Sequence, residues 1–348
     1  QQQADAPIIV DGTYMGYSGL AASVTMGPAC QLCLTLAAQR DVQDMMDLYN
    51  RLYLQMGLAL AAHGLRAWAL GCHPTTRAEA LPLVPRTRDE AMDRYFKNTG
   101  SCGTQVMRSI DYFDEMDFVR KMRVASLLTP FFALLCDNAP IYQGSRNSMC
   151  SVRTRIWQDV DTDRCGVVPH LMDPDFGFAR YAENVLTKPQ ITAWRAGRVK
   201  AVGSKTAPEL YAAHLSQREA AQILSNFFYD VRLKSRIELR AADSMPPRYI
   251  AAYAQLVKSV FGSPAALQNV LRHYAGITTL DITTAKLAVC KDGFNALAYG
   301  KPISSELTWL LMQARSRTPS QEERALLDPF MALVMKRKTI RETENYNE

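Results

Sequence analysis

The sequence predicts an α+β fold: a mostly antiparallel sheet interleaved with helices over residues 20–245, then helices alone over 246–336. Three observations carry this reading. Residues 23–36 alternate in the way a half-buried strand does. Residues 41–63 repeat their apolar side chains at i, i+3, i+4 and i+7, the period of a helix with one buried face. Beyond Glu238 only the helical period remains.

Taken in order, Ser23 to Leu36 is the first strand. Asp41 to His63 is a helix with Val42, Met45, Met46, Tyr49, Leu52, Tyr53, Met56 and Leu60 on its stripe, closed by Gly64 as a C-terminal cap. Leu65 to Leu70 reads as a short strand, and another strand closes at Ile110 to Tyr112. A long helix follows from Asp114 or Glu115 to Leu135, its first acidic residues suited to the positive end of the helix. Gln190 to Val202 is a hairpin turning at Ala196-Gly197. Five helices are expected at Pro246–Phe261, Ser263–Tyr274, Thr283–Ala298, Ser304–Arg315 and Pro319–Lys336, each starting near Ser, Thr or Pro. Residues 337–348 read as a tail whose ETENYNE end is frayed.

The 348 residues contain no Gly/Ser or Pro linker, so one domain over 1–348 is expected. A hydrophobic content of 48% with 21% charged residues fits a packed core. No apolar run reaches the roughly 20 residues of a membrane helix, and Val124 to Cys136 reads as a buried helix. The net charge of +6 gathers after Lys188, at Arg195, Arg198, Lys200, Lys205, Arg232, Lys234, Arg236 and Arg240 and again at Lys336 to Lys338. Such runs suit phosphate, nucleic acid or acidic partners, but most are merely solvated faces. RNA recognition needs interleaved aromatics, and Trp194 and Tyr211 are too sparse, so nucleic acid is not supported.

Eight cysteines without a repeated spacing read as free thiols in an intracellular, reducing compartment. Cys30 and Cys33 are the one close pair, with Cys72 and His73 the one candidate partner for a zinc or redox site; alternation around Gln31, Cys33 and Thr35 favours two small residues on a strand. His63, His73, His170, His214 and His273 show no ligand spacing. A basic balance and a start at Gln rather than Met, read as truncation or processing, are compatible with a mitochondrial protein.

The segment RTRIWQDVDTDRCGVVP, Arg153 to Pro169, carries the candidate site. On an extended segment Arg153, Arg155 and Trp157 share one face, and guanidinium forks suit a small carboxylate bidentately. In isolation the trio is ordinarily a solvated, partly stacked surface. Four blocks in order change that reading: Gly64–Phe96, Ser109–Gly144, the Arg153–Pro169 segment with DPDFGFARYAENVL after it, and Asp230–Pro247. Together they resemble the glutamate-cysteine ligase family of the plant and bacterial type, carboxylate-amine ligases with a glutamine-synthetase-like fold. The resemblance implies a sheet curved into an open funnel with the active site on its concave face. It implies that ATP phosphorylates the glutamate γ-carboxylate and that the cysteine amine displaces the phosphate. Two or three magnesium ions then need hard carboxylate ligands. It assigns substrate binding to Arg153, Arg155, Trp157 and Arg240, and a metal carboxylate to Glu238.

Three acidic stations of that family fail here. The opening QQQADAPIIVDGTYMGYSG lacks the alternating glutamate pair, and Gly27 and Cys33 stand where two more glutamates belong. A thiol is a poor magnesium ligand. The third station, around Gly103 to Val106, is displaced by an insertion of Met107 and Arg108 or by a deletion before it, either of which shifts strand register. Glu238 alone remains. Losing one contact aimed at a transition state costs about 10²- to 10³-fold in rate. The sequence is therefore read as a degenerate homologue, a pseudoenzyme without cofactor, acting as a structural or interaction subunit beside other protein subunits. The alternatives are an active ligase that uses ATP, magnesium, glutamate and cysteine to make γ-glutamylcysteine for glutathione biosynthesis, and an amino-acid or nucleotide sensor.

Overall fold

Turn residues cut the first forty positions into short strands. Asp11 and Gly12, both at positive φ, join β1 (Ala6–Val10) to β2 (Thr13–Ser18) in the two-residue turn whose twist matches a hairpin. Pro28 opens a single 3₁₀ turn between β3 (Ala22–Gly27) and β4 (Gln31–Leu36). The alternating run expected as one strand from Ser23 to Leu36 is thus a hairpin: Pro28 has no N–H for a ladder, and Ala29 turns left-handed at φ 57°. The four strands form an antiparallel sheet in sequence order, two of them ahead of residue 20, where the sheet was expected to begin. The computed structural model describes residues 6–97, 103–211 and 214–344.

Helix α1 (Val42–Ala61) is capped by the Asp41 carboxylate, which accepts from the Asp44 N–H. Its N-terminal half buries Val42, Met45, Met46 and Leu48. Residues 65–70, expected as a strand, form irregular coil; past Gly71 the segment makes only an isolated bridge, Cys72 to Gly103, in place of a ladder. Next come α2 (Thr87–Phe96), β5 (Gln105–Ile110) and α3 (Glu115–Leu135). Asp114 caps α3, and residues 124–135 are buried throughout. The middle of the chain holds β6 (Ile141–Tyr142), β7 (Ser145–Arg146), α4 (Val152–Val160), β8 (Cys165–Gly166), α5 (Phe178–Leu186), β9 (Thr192–Arg195), β10 (Arg198–Ala201), α6 (Ala207–Leu210), α7 (Gln217–Leu224), β11 (Phe228–Tyr229), β12 (Val231–Leu233) and β13 (Ile237–Asp243). The β9–β10 hairpin turns at Ala196-Gly197 as expected.

The functional centre is built on a second antiparallel sheet, ordered β12-β13-β5. All seven residues of β13 are buried, and its register against β5 slips between the Leu239–Arg108 and Ala242–Val106 pairs, so Arg240 and Ala241 bulge opposite Met107. The structure therefore has two separate larger antiparallel sheets where one central sheet was expected. Both are packed with helices, and the mixed α/β, antiparallel class stands.

After β13 come α8 (Pro247–Phe261), α9 (Pro264–His273), α10 (Thr279–Asp292), a small hairpin of β14 (Leu297–Ala298) and β15 (Lys301–Pro302), α11 (Ile303–Arg317), α12 (Gln321–Ala325), α13 (Asp328–Lys336) and α14 (Ile340–Thr343). The helix expected at 319–336 breaks in two, because Pro329 at the start of α13 cannot continue the previous turn. The expected tail is also corrected: Thr339 and Glu342 form a capping box, Ile340 is fully buried, and Arg341 pairs with buried Asp137 at 2.7 Å. Only residues 345–348 of the expected frayed end lie outside the described ones. Among the described residues no helix is long and apolar enough to cross a membrane. None of the described cysteines forms a disulfide; Cys33 is exposed, and the Cys30 side chain lies outside the description.

Candidate anion site at the junction of α4 and β13

Helix α4 corrects the extended reading of Arg153–Trp157. At 100° per residue, positions four apart share a face and positions two apart do not. Arg153 and Trp157 accordingly turn inward and are buried, while Arg155 faces solvent beside Asp159 at 3.5 Å. The chain enters α4 through Ser151, held at φ 48° while its N–H donates to Asp137 Oδ1 at 2.9 Å. Because Asp137 is clamped by Arg341, the C-terminal α14 helps to fix the start of the arginine helix.

Both terminal nitrogens of Arg153 are engaged: Nη1 donates to the Arg240 carbonyl and Nη2 to Gln105 Oε1 at 2.6 Å. Gly103 lies against its stem, where an added Cβ would come within 3.5 Å of Arg153 Cγ. Trp157 stacks on Phe228 at 4.7 Å and 11°, and Phe96 meets both rings edge-on. The guanidinium carbons of Arg240 and Arg88 lie 5.8 and 6.0 Å from the Phe228 centroid.

Glu238 faces Arg232 directly across the β12–β13 ladder. Its Oε2 accepts from Arg232 Nε at 2.7 Å and forms an ion pair with Arg232 Nη2 at 2.6 Å and Arg240 at 3.8 Å, while Lys234 stands 3.6 Å from Oε1. Burial pushes the Glu238 carboxyl up, but Arg232, Lys234 and Arg240 outweigh it and hold the group below its ordinary value. The cations show the opposite crowding. Lys234 falls to about 8 through burial and then Arg232, and Arg88 falls to about 10 through burial, opposed by Asp89 and reinforced by Arg232 and Arg86. Arg240 is lowered by burial, Arg232 and Arg153, and its buried Nε has no hydrogen-bond partner among the described residues. Three cations, Arg232, Lys234 and Arg240, thus surround Glu238, with Arg153 held against the Arg240 carbonyl and Arg88 against the Phe228 ring. This arrangement can hold an anion such as a carboxylate or phosphate.

The structure brings together Arg153, Trp157, Glu238 and Arg240, and excludes Arg155. Gly27 and Cys33 sit side by side at the β3–β4 hairpin, an added Gly27 Cβ lying 3.6 Å from Cys33 Sγ. That hairpin reaches the site through Gln31, whose Nε2 donates to the Gly103 carbonyl at 3.2 Å. Sequence reasoning did not single out Arg88, Gln105 and Phe228, and it saw Arg232 and Lys234 only as part of a basic run. The alternation of Arg232 and Lys234 ahead of Glu238 and Arg240 was the available signal.

Fold and site together define a protein with a buried cationic cluster beside an aromatic stack on an antiparallel sheet. The model of glutamate-cysteine ligase family 2 matches residues 16–325, and the chain belongs to that family. It is 28% identical to the chloroplastic glutamate-cysteine ligase of Brassica juncea over 264 residues, covering 72% of this chain and 51% of the relative. The Arabidopsis thaliana chloroplastic enzyme is 27% identical over the same coverage. The rice (Oryza sativa subsp. japonica) chloroplastic glutamate-cysteine ligase B is 25% identical over 278 residues, 76% of this chain and 56% of the relative. The chain spans about half the length of the curated relatives it matches. Among solved structures it is similar to the Pup ligase PafA in complex with ADP, with a TM-score of 0.40 and 8% identity over 97% of this chain and 61% of that one.

Proposed function

We propose that this chain is a non-catalytic glutamate-cysteine ligase homologue that keeps an anion-holding cleft and serves as an interaction subunit of a larger assembly. One observation carries the reading: Glu238, the last carboxylate at the family's metal stations, is taken up by Arg232 and crowded by Lys234 and Arg240. Magnesium does not fit these residues. A dication needs several free carboxylate oxygens in near-octahedral geometry, whereas here one engaged carboxylate faces three cations, Arg232, Lys234 and Arg240, and Gly27 and Cys33 offer no hard oxygen ligand from their side chains. Among the described residues no three His, Cys, Asp or Glu side chains gather as metal ligands. A carboxylate or phosphate bound without turnover suits the cleft better.

The reading is tested by isothermal titration of ATP with magnesium into the protein, followed by assay for γ-glutamylcysteine. The expected result is neither low-micromolar magnesium-dependent binding nor product. Product formation establishes the second reading, an ATP-dependent ligase of glutamate and cysteine, which the named activities of the relatives favour.

A further inference from the structure

The C-terminal half of α1 has the composition of a buried helix without the burial. Its buried residues end at Leu48, and the chain then runs Leu52, Tyr53, Leu54, Met56, Leu58 and Leu60. Leu54 is 64% exposed, Leu58 66%, and Leu65 and Trp68 just beyond the helix 59% and 54%. A helix that is apolar all round is normally covered on every side, and contiguous exposed apolar patches of several hundred Å² mark interaction surfaces. Leu54 and Leu58 lie one turn apart, in line with exposed Ala61 and Ala62. Gly57 adds a second signal. Mid-helix glycine costs about 1 kcal/mol relative to alanine, yet nothing described lies within 4 Å of a Cβ placed there, so the fold itself does not require it. A closely approaching partner backbone would.

Charge at the two ends of the stripe selects the partner. Exposed Arg51 stands on the helix at one end, and exposed Arg66 follows its C-terminal turn at the other. No acidic residue occurs between Asp47 and Glu79. A second copy of the chain would therefore set arginine against arginine with no acid to offset it. A lipid surface fits no better, because an interfacial helix carries a strongly cationic polar face, and Arg51 is the one Lys or Arg from Leu48 to Ala61.

We infer that the Leu54–Leu58 stripe docks an amphipathic helix of another protein, apolar along one ridge and acidic at both ends. This rests on the interaction-subunit reading and names the surface it uses. Binding to the full chain is followed by fluorescence anisotropy with a labelled synthetic helix of about 18 residues, with a leucine ridge and glutamates at both ends. A lysine-ended counterpart, phosphatidylcholine/phosphatidylserine vesicles and sedimentation of the protein alone complete the comparison. The glutamate-ended helix binds. Its affinity falls about 10-fold or more with Leu58→Asp and with the lysine-ended peptide, while the thermal midpoint of the variant is unchanged because Leu58 is solvent-facing. Failure of the glutamate-ended helix to bind, equal binding of both peptides, Leu58-dependent vesicle binding or a Leu58-dependent dimer each overturns the inference. None of these outcomes bears on the non-catalytic reading, which is overturned instead by low-micromolar magnesium-dependent ATP binding or by γ-glutamylcysteine formation.

Discussion

Replacing Glu238 by Gln tests whether that carboxylate is a structural counter-ion or a free metal ligand. Gln keeps the shape and one acceptor for Arg232, so the change removes mainly the negative charge that faces Arg232 at 2.6 Å, Lys234 at 3.6 Å and Arg240 at 3.8 Å. One unit-charge contact near 4 Å is worth about 4 kcal/mol at an effective dielectric of 20. Burying the carboxylate costs several kcal/mol in return, and breaking a buried pair on one side destabilises by about 3–5 kcal/mol net. With an acceptor retained, about 3 kcal/mol is expected, which lowers the urea midpoint by about 1 M at an m-value of about 3 kcal/mol/M. Removing both partners, as Glu238→Leu with Arg232→Met, recovers most of the loss because no orphan charge remains. A Glu238→Gln midpoint within about 0.2 M of the parent would refute the reasoning and return Glu238 to the set of available metal ligands. The pairing also sets a pH window. Because the folded carboxyl lies below its ordinary 4.5, its stabilisation is present above that value and is lost as pH falls through the lower folded value.

Three further outcomes follow from the geometry. Arg153→Ala should cost about 2–3 kcal/mol in chemical denaturation and weaken phosphate or glutamate binding in calorimetry, whereas Arg155→Ala should leave both within about 0.5 kcal/mol; equal effects would restore the strand reading. Arg341→Ala strands the fully buried Asp137 and should lower stability by about 3 kcal/mol, measured by urea titration, with faster proteolysis near Ser151. Burial first, then Asp137, pushes the Asp243 carboxyl from 3.8 up to about 7, so the native state binds the extra proton and stability declines as pH rises from about 4 to 7. Asp243→Asn should flatten that slope in denaturation titrations across the same window.

The sequence determined the elements that depend on local rules. The period of α1, the Asp114 start of α3, the Ala196-Gly197 hairpin and the mainly helical character after β13 were legible, since each needs only side chains within one or two turns. The family resemblance was also legible, because it is a matter of residue identity. Tertiary structure decided what depends on partners remote in the chain. A spacing of two residues between Arg153 and Arg155 suits a strand and means opposite faces on a helix; burial of Trp157 against Phe228 and Phe96 goes with the helical choice. Glu238 is an acid in any alignment, but whether it can hold a metal turns on Arg232 and Lys234 meeting it across the sheet. Likewise the residues read as a tail fold because Arg341 finds Asp137 some two hundred positions away, and such pairings are properties of a packed interior rather than of any stretch of sequence.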